Sequence, residues 1–150
     1  MKGKILLING PNLNMLGMRE PKNYGNIVLD EIVMKCIEIS NKFGYDLVHF
    51  QSNSEGEIID FIQKEGLNAS GMIINAGAYT HTSIGIRDAI LSVNIPFVEI
   101  HMSNIFKREP FRHNSYLSDI AVGVISGFKE NSYYLGVLSL ISFLEGKAVI

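Results

Sequence analysis

The chain has little cysteine, little net charge and no long apolar run, and each shortage excludes a class of protein. A single cysteine, Cys36, excludes an intramolecular disulfide and a metal cage built from thiolates. The formal net charge of −2 provides no overall field for attracting nucleic acid or an acidic membrane surface. The apolar runs near the C-terminus are too short to cross a bilayer, and the N-terminus lacks the pattern of a signal peptide. We therefore expect a cytoplasmic protein with no membrane or nucleic-acid partner.

The remaining composition is that of a folded domain. The chain has 150 residues, of which 47% are hydrophobic and 19% charged, so it can bury a sizeable core. It contains no internal repeat, linker or low-complexity segment. We expect one catalytic domain that covers residues 1–150.

Short apolar runs alternate with segments of helical periodicity along the chain. The runs typical of buried strands are 4–9, 46–51, 71–76, 96–100 and 121–126, and the helical segments are 29–43, 54–66, 83–93 and 132–144. Ser54 and Glu57 have the spacing of a capping box at the start of the second helical segment. This alternation predicts an α/β fold, a flavodoxin-like doubly wound parallel sheet of five strands in the order 2-1-3-4-5, with helices on both faces.

Polar side chains collect where four of these strands end. In a doubly wound sheet the ligand lies beyond the carboxyl ends of the strands, so these ends are the expected site. The loops at 10–28 and 101–119 are longer than ordinary connections, which favours a functional role. The side chains that follow the strand ends are Asn12, Arg19, Tyr24, Gln51, Ser52, Asn53, Asn75, His81, His101, Ser103, Arg108, Arg112 and His113.

Several familiar signatures are missing from these loops. No GxGxxG follows a strand, the loop GPNLNMLG lacks the GK[ST] of a phosphate-binding loop, and no serine stands in a GxSxG elbow. The four histidines do not have the spacing of metal ligands, and few lysines lie near the strand ends. The chemistry that these residues favour is acid–base catalysis on a small polar anion.

Tyr24 and His101 are the candidates for the base and the acid. Arg19 lies close to Tyr24 in sequence, and a cation beside a phenol favours the tyrosinate. Glu99 and His101 project to the same side of a strand, so Glu99 is a candidate for orienting the imidazole. The structural alternatives are a loop tyrosine that packs on the core and a surface His–Glu pair.

The other candidates are binding residues with equally plain structural alternatives. Backbone N–H groups of Met102 and Ser103, together with Arg112, could hold a carboxylate. The structural alternative for Asn12 and Asn75 is to stabilise a turn or the end of a strand, and that for His81 is to cap the start of a helix.

With these residues collected, the sequence resembles the type II 3-dehydroquinate dehydratases. The resemblance rests on the motifs NGPNLNMLGMREPKNYG, QSNSEGEIIDFI, IINAGAYTHTSIGIRDAI, VEIHMSNIFKREPFRHNSYLSD and AVGVISGF, which follow one another along nearly the whole chain. It implies anti elimination of water from 3-dehydroquinate in the shikimate pathway, which leads to chorismate and aromatic amino acids. It also implies a reaction with no metal and no organic cofactor.

The resemblance assigns a role to each candidate. Tyr24 would be the base, Arg19 would activate it, Asn12 would stabilise the enolate through a water, and His101 would be the acid. Asn75, His81 and Arg112 would bind substrate hydroxyls, and Met102 and Ser103 the carboxylate. Asp88, an exposed mid-helix charge by sequence reasoning alone, would act from a neighbouring subunit of a dodecamer built from trimers. The long loop after the first strand would be a lid that carries the base.

Some residues depart from the family pattern. Ser54, Phe106 and Asn114 stand where the family usually has histidine, and Met102 replaces a branched aliphatic residue. These departures bear on affinity rather than on proton transfer. Two alternatives to the enzyme are a flavodoxin-like module that binds a phosphate-bearing ligand such as FMN, and an oligomer whose active site has decayed.

Overall fold

Five parallel strands form one sheet in the order β2-β1-β3-β4-β5, which confirms the predicted topology. The fold was obtained as a computed structural model, which describes residues 1–18 and 20–150. The strands are Gly3–Asn9 (β1), Tyr45–Gln51 (β2), Gly71–Asn75 (β3), Phe97–His101 (β4) and Gly123–Ser126 (β5). The order reverses between β1 and β3, whose ends pair Asn9 with Asn75. A ligand site is expected at this reversal.

Helices cover both faces of the sheet. The helices are Pro21–Tyr24 (α1), Leu29–Lys42 (α2), Glu55–Gly66 (α3), Ile84–Val93 (α4) and Asn131–Glu145 (α5). Helices α2 and α5 pack on one face and α3 and α4 on the other, each burying an apolar stripe against alternate strand residues. Within the part of the chain described, no helix combines the length and hydropathy needed to cross a membrane.

The predicted boundaries differ from the observed ones by a few residues. β4 extends to His101, one residue beyond the prediction, so His101 is fixed by the sheet rather than by the following loop. The capping box before α3 is only half formed. Ser54 Oγ accepts from the Glu57 N–H, but the Glu57 carboxylate accepts from Ser52 Oγ instead of reaching back to Ser54. The Ser54 N–H is already satisfied by Ser52 Oγ, at 2.9 Å.

The long loops contain short helical turns that the sequence pattern did not predict. Besides α1, they are the 3-10 turns Leu13–Met15, Gly77–His81, Ile105–Lys107 and Pro110–Arg112. Such turns hold a loop in one conformation by local hydrogen bonds. They place the loop side chains over the carboxyl ends of β1, β3 and β4.

Cys36 is fully buried in α2, as predicted. Burial raises its pKa to about 12, because a thiolate is poorly solvated in the core. The thiol is therefore a packing group without nucleophilic character.

Candidate active site

A cleft opens at the carboxyl ends of β1, β3 and β4 and has a volume of about 580 Å³, which includes the open solvent at its mouth. Eight of the predicted site residues line it: Asn12, Tyr24, Asn75, His81, His101, Met102, Ser103 and Arg112. Pro11, Leu13, Gly77, Ala78, Ile105 and Arg108 complete the lining. The fold thus brings together side chains from five separate loops and strand ends.

The phenol of Tyr24 lies against a guanidinium. Tyr24 is the last residue of helix α1, and it is buried, with 8% of its surface exposed. Arg108 Nη1 donates to Tyr24 Oη at 2.8 Å and to Ser103 Oγ at 3.2 Å. Glu20 and Glu109 lie within 3.7 and 3.8 Å of the same guanidinium and hold it in place. The phenol oxygen therefore accepts from a charged donor, an arrangement that suits a base.

His101 is paired with a carboxylate that has no contact with solvent. Nε2 of His101 bonds to Glu99 Oε2, and Glu99 is 0% exposed. Thr80, Ser115 and Ser118 each donate a hydroxyl to the same carboxylate. Burial alone would raise the pKa of Glu99, but the bond and charge of His101 and the serine hydroxyls hold it below its usual value. Glu99 is therefore an anion that fixes the imidazole and leaves Nδ1 for a ligand.

The start of the loop after β4 offers two backbone donors to the cleft. Within residues 1–18 and 20–150, the N–H groups of Met102 and Ser103 donate to no protein acceptor. The carbonyl groups of these residues accept from the Lys129 N–H and from Ser126 Oγ, which fixes the turn. Unpaired N–H groups at a strand end form a site for an anion such as a carboxylate.

His81 and Arg112 also line the cleft. Nδ1 of His81 bonds to the backbone carbonyl of Asn114 at 2.7 Å. Burial is the main reason that the pKa of His81 is lowered; the bond to Asn114 opposes this, and the charges of His101 and Arg112 add to it. A neutral ring whose Nδ1–H is used by Asn114 presents Nε2 as an acceptor. Nε of Arg112 bonds to Glu109 at 3.2 Å, which leaves its terminal N–H groups for a ligand.

Asn12 lies at a turn, as its structural alternative required, and its backbone carbonyl accepts from the Met15 N–H. Its backbone is left-handed (φ 69°), and its side chain does not cap the 3-10 turn that follows. Its N–H donates to Asn53 Oδ1, which ties the loop after β1 to the loop after β2. The Asn12 side-chain amide is thus available to the cleft.

Three predicted residues lie outside the lining. Glu99 lies behind His101, as an orienting residue would. Asp88 is exposed on α4 and does not reach the cleft of its own chain. Arg19 falls outside the described residues, so its predicted contact with Tyr24 stays a prediction.

Sequence reasoning placed Arg108 among the residues after β4 but gave it no role. It chose Arg19 as the cation near Tyr24 because the two are close in sequence, whereas Arg108, which bonds to the phenol, is 84 residues away.

The structure also gives the positions of the three residues that depart from the family pattern at histidine positions. Asn114 serves His81 through its backbone, Ser54 caps α3, and Phe106 stands exposed with its ring centroid 6.0 Å from that of His113.

No group of three or more histidine, cysteine, aspartate or glutamate side chains in the described ranges has the arrangement of a metal site. The polar lining residues are acid–base groups and hydrogen-bond donors. The arrangement can deprotonate a bound molecule at Tyr24, protonate it at His101 and hold an anionic group on the backbone between them.

Comparisons with known proteins identify the family to which the chain is similar. The profile of the dehydroquinase class II family matches residues 3–141. A 3-dehydroquinate dehydratase from Prochlorococcus marinus (strain NATL1A) is 54% identical over 94% of this chain and 97% of its own. The crystal structure of a type II dehydroquinase from Butyrivibrio crossotus DSM 2876 is similar with a TM-score of 0.88, at 44% identity over 91% of this chain and 96% of its own. That of a type II dehydroquinase from Propionibacterium acnes also gives a TM-score of 0.88, at 36% identity over 93% and 96% of the two chains.

The fold is that of an α/β protein of the flavodoxin-like type, and its relatives show that it is an enzyme of the hydro-lyase class. The chain belongs to the class II dehydroquinase family. The alternative of a non-catalytic module that binds a phosphate-bearing ligand finds no relative among these proteins.

Proposed function

We propose that this chain dehydrates 3-dehydroquinate to 3-dehydroshikimate by anti elimination, as a step of the shikimate pathway. One observation carries the proposal. A phenol bonded to a guanidinium (Tyr24 and Arg108) and an imidazole bonded to a buried carboxylate (His101 and Glu99) line the same cleft. Elimination of water requires a base and an acid that act on neighbouring carbons of one bound molecule, and these two pairs supply them.

Tyr24 is the base of the proposed mechanism. As a tyrosinate it removes the proton from C2, and the electron pair of that bond moves into the C3 carbonyl to give an enolate. Arg108 stabilises the tyrosinate before the transfer, and Arg19 shares this role by the family resemblance. Asn12 stabilises the enolate oxygen through a bound water. Donors aimed at a developing oxyanion are among the larger contributions to catalysis.

His101 is the acid of the second step. It gives a proton to the C1 hydroxyl while the enolate electrons form the C1–C2 double bond and the C1–O bond breaks. One water leaves, Tyr24 releases the proton that it took, and His101 takes up a proton from the solvent, which resets the site. Glu99 keeps the ring in one orientation throughout and stabilises its positive charge before the transfer. Neither step calls for a metal or an organic cofactor.

The remaining residues hold the substrate. The N–H groups of Met102 and Ser103 bind the carboxylate, and Arg112 and His81 bind hydroxyls, with His81 Nε2 as an acceptor. Asn75 binds a further oxygen of the ring. Because the carboxylate is anchored at the β4 end, the reacting carbons lie between Tyr24 and His101.

We further propose that Asp88 completes the cleft of a neighbouring subunit. Its carboxylate is exposed on α4 and lies outside the cleft of its own chain. The expected assembly is a dodecamer of trimers in the cytoplasm, and light scattering on the purified protein measures its mass directly.

The test is the absorbance of the conjugated enone carboxylate that the reaction produces. Purified protein, 3-dehydroquinate and EDTA should give a rise in the ultraviolet that survives pretreatment with borohydride in the presence of substrate. Tyr24→Phe should abolish turnover and leave folding intact. Tyr45→Phe is the matched control, because the Tyr45 hydroxyl bonds to Glu145 at the opposite end of the sheet.

Two outcomes distinguish a wrong function from a wrong assignment of the base. No rise from folded wild-type protein of the expected mass would overturn the function and favour a decayed site. A Tyr24→Phe variant with wild-type turnover would overturn the assignment of the base alone.

A further inference from the structure

A chain of buried hydrogen bonds runs behind the cleft from β3 to β2. Asn75 Nδ2 donates to Tyr133 Oη at 2.9 Å, and Tyr133 Oη donates to Asn9 Oδ1 at 2.5 Å. Asn9 Nδ2 continues the chain to His49 Nε2 at 3.0 Å. Asn9 and Tyr133 are 0% exposed, and Asn75 is 4% exposed. Of these four residues, Asn75 alone lines the cleft, so the mechanism proposed above gives no role to Tyr133, Asn9 or His49.

The backbone N–H of Gly77 determines which group donates and which accepts in each of these hydrogen bonds. The Gly77 N–H can only donate, and it bonds to Asn75 Oδ1 at 3.2 Å. The Nδ2 side of that amide must therefore face Tyr133, whose oxygen accepts and whose single proton is left for Asn9. Asn9 in turn presents its own Nδ2 to His49. His49 is the acceptor at the far end, as a neutral ring.

We propose that Tyr133 is a positioning residue for Asn75, and that it orients the Asn75 amide so that Nδ2 donates to the substrate. The inference rests on the proposed function and adds a specificity element to it. Oδ1 accepts from the Gly77 N–H and one Nδ2 proton goes to Tyr133, so the second Nδ2 proton is left to donate into the cleft. The site selects a ligand with an oxygen acceptor at this point and disfavours one with a donor or a methyl group there.

The surroundings of Tyr133 agree with a fixed orientation. Burial raises the pKa of Tyr133 well above its usual value, so the hydroxyl keeps its proton at any working pH. Burial also lowers the pKa of His49, which favours the neutral acceptor that the direction of the chain requires, while the charge of Asp30 opposes this shift. Each polar atom of Tyr133 and Asn9 has a partner. A buried network that is fully satisfied specifies one arrangement.

The decisive variant is Tyr133→Phe, which keeps the ring and removes the hydroxyl. Loss of one buried neutral hydrogen bond should raise KM for 3-dehydroquinate about 5- to 10-fold and change kcat less than about 2-fold. A general packing defect would not produce this split. Tyr45→Phe is the control, since it also removes a bonded hydroxyl from a buried tyrosine and should leave KM unchanged.

A double-mutant cycle shows whether Tyr133 acts through Asn75. Asn75→Ala alone should raise KM, and adding Tyr133→Phe to it should raise KM no further, because the group being positioned is gone. If Tyr133→Phe does not fold, Asn9→Ala serves instead, since it removes the acceptor of the Tyr133 proton and keeps the aromatic core. It should give the same rise in KM.

Three results would overturn the inference. They are a KM of Tyr133→Phe within about 2-fold of wild type, a loss confined to kcat, or additive effects in the double mutant. Absence of turnover in the wild-type enzyme would overturn the proposed function and this inference with it. Turnover by the wild type with an unchanged KM for Tyr133→Phe would overturn this inference alone.

Discussion

Arg108 donates a hydrogen bond to the hydroxyl of Tyr24 across 84 residues of sequence, at 2.8 Å. The guanidinium is only 11% exposed, so its charge acts on the phenol with little screening by solvent. This contact ties the loop that contains the proposed base to the loop that follows β4. The two loops must adopt their positions together for the base to be assembled.

The first prediction concerns this contact. Arg108→Ala should lower kcat about 10- to 100-fold, because a hydrogen bond to a charged group contributes about 1.5–3 kcal/mol. Arg108→Lys should recover part of the loss, since it restores the charge without the fork of donors. Steady-state kinetics by the absorbance assay measure both variants.

Lys4→Ala is the control for Arg108→Ala. Lys4 is also a partly buried cation, paired with Glu65 at 2.9 Å, but it lies at the opposite end of β1. Its loss should leave kcat unchanged. Equal effects of the two substitutions would show that Arg108 acts only on general stability.

The second prediction concerns the carboxylate behind His101. Glu99→Gln keeps the shape of the side chain, removes its charge and places an NH₂ group among hydroxyls that are arranged to donate. We expect kcat to fall at least about 100-fold, the usual contribution of acid catalysis, with a smaller change in KM. Ser118→Ala, which removes one of several donors to Glu99, should cost less than about 10-fold. Wild-type kcat in Glu99→Gln would exclude an orienting role.

The third prediction concerns Asp88 and the assembly. Tyr24→Phe and Asp88→Ala should each be inactive alone, yet regain activity when the two chains are co-expressed. If Asp88 completes the cleft of a neighbour, half of the clefts retain Tyr24 and half of their neighbours retain Asp88, so about a quarter of wild-type activity should return. No recovery in mixed oligomers of verified mass would place Asp88 outside the shared site.

The fourth prediction is a dependence of stability on pH. The pKa of His49 is lowered in the folded chain, mainly by burial, with Asp30 opposing the shift. As the pH falls, the unfolded chain takes up this proton first. The contribution of His49 is therefore present above the unfolded pKa of about 6.5 and is lost as the pH falls from there through the lower folded pKa.

His49→Gln isolates this contribution, because Gln keeps an acceptor for Asn9 Nδ2 and does not titrate. Melting temperatures between pH 7.5 and 5.5 should fall less steeply for the variant than for the wild type. His81, whose pKa is also lowered, accounts for part of the slope that remains. Identical slopes would show that His49 does not titrate with the fold.

Much of this protein is readable from its sequence. Alternation of apolar runs with helical periodicity determines a doubly wound sheet, because strand and helix periods are local properties of the chain. The rule that ligands bind at the carboxyl ends of parallel strands then collects eight of the lining residues before any coordinates are known. Glu99 and His101 share a side because strand residues two apart always do.

Other relationships exist only in the folded chain. The contact of Arg108 with Tyr24, the hydroxyls around Glu99 and the path from Asn75 through Tyr133 to Asn9 join residues far apart in sequence. They depend on the positions of the loops over the sheet and on the rotamers that packing allows. The helical and strand periodicity of the sequence determines neither. The sequence by itself determined the sheet, its order and the edge where the chemistry lies. Tertiary structure alone decided that Arg108 contacts Tyr24 and which way a buried amide faces, because each is set by contacts that form only when the elements pack.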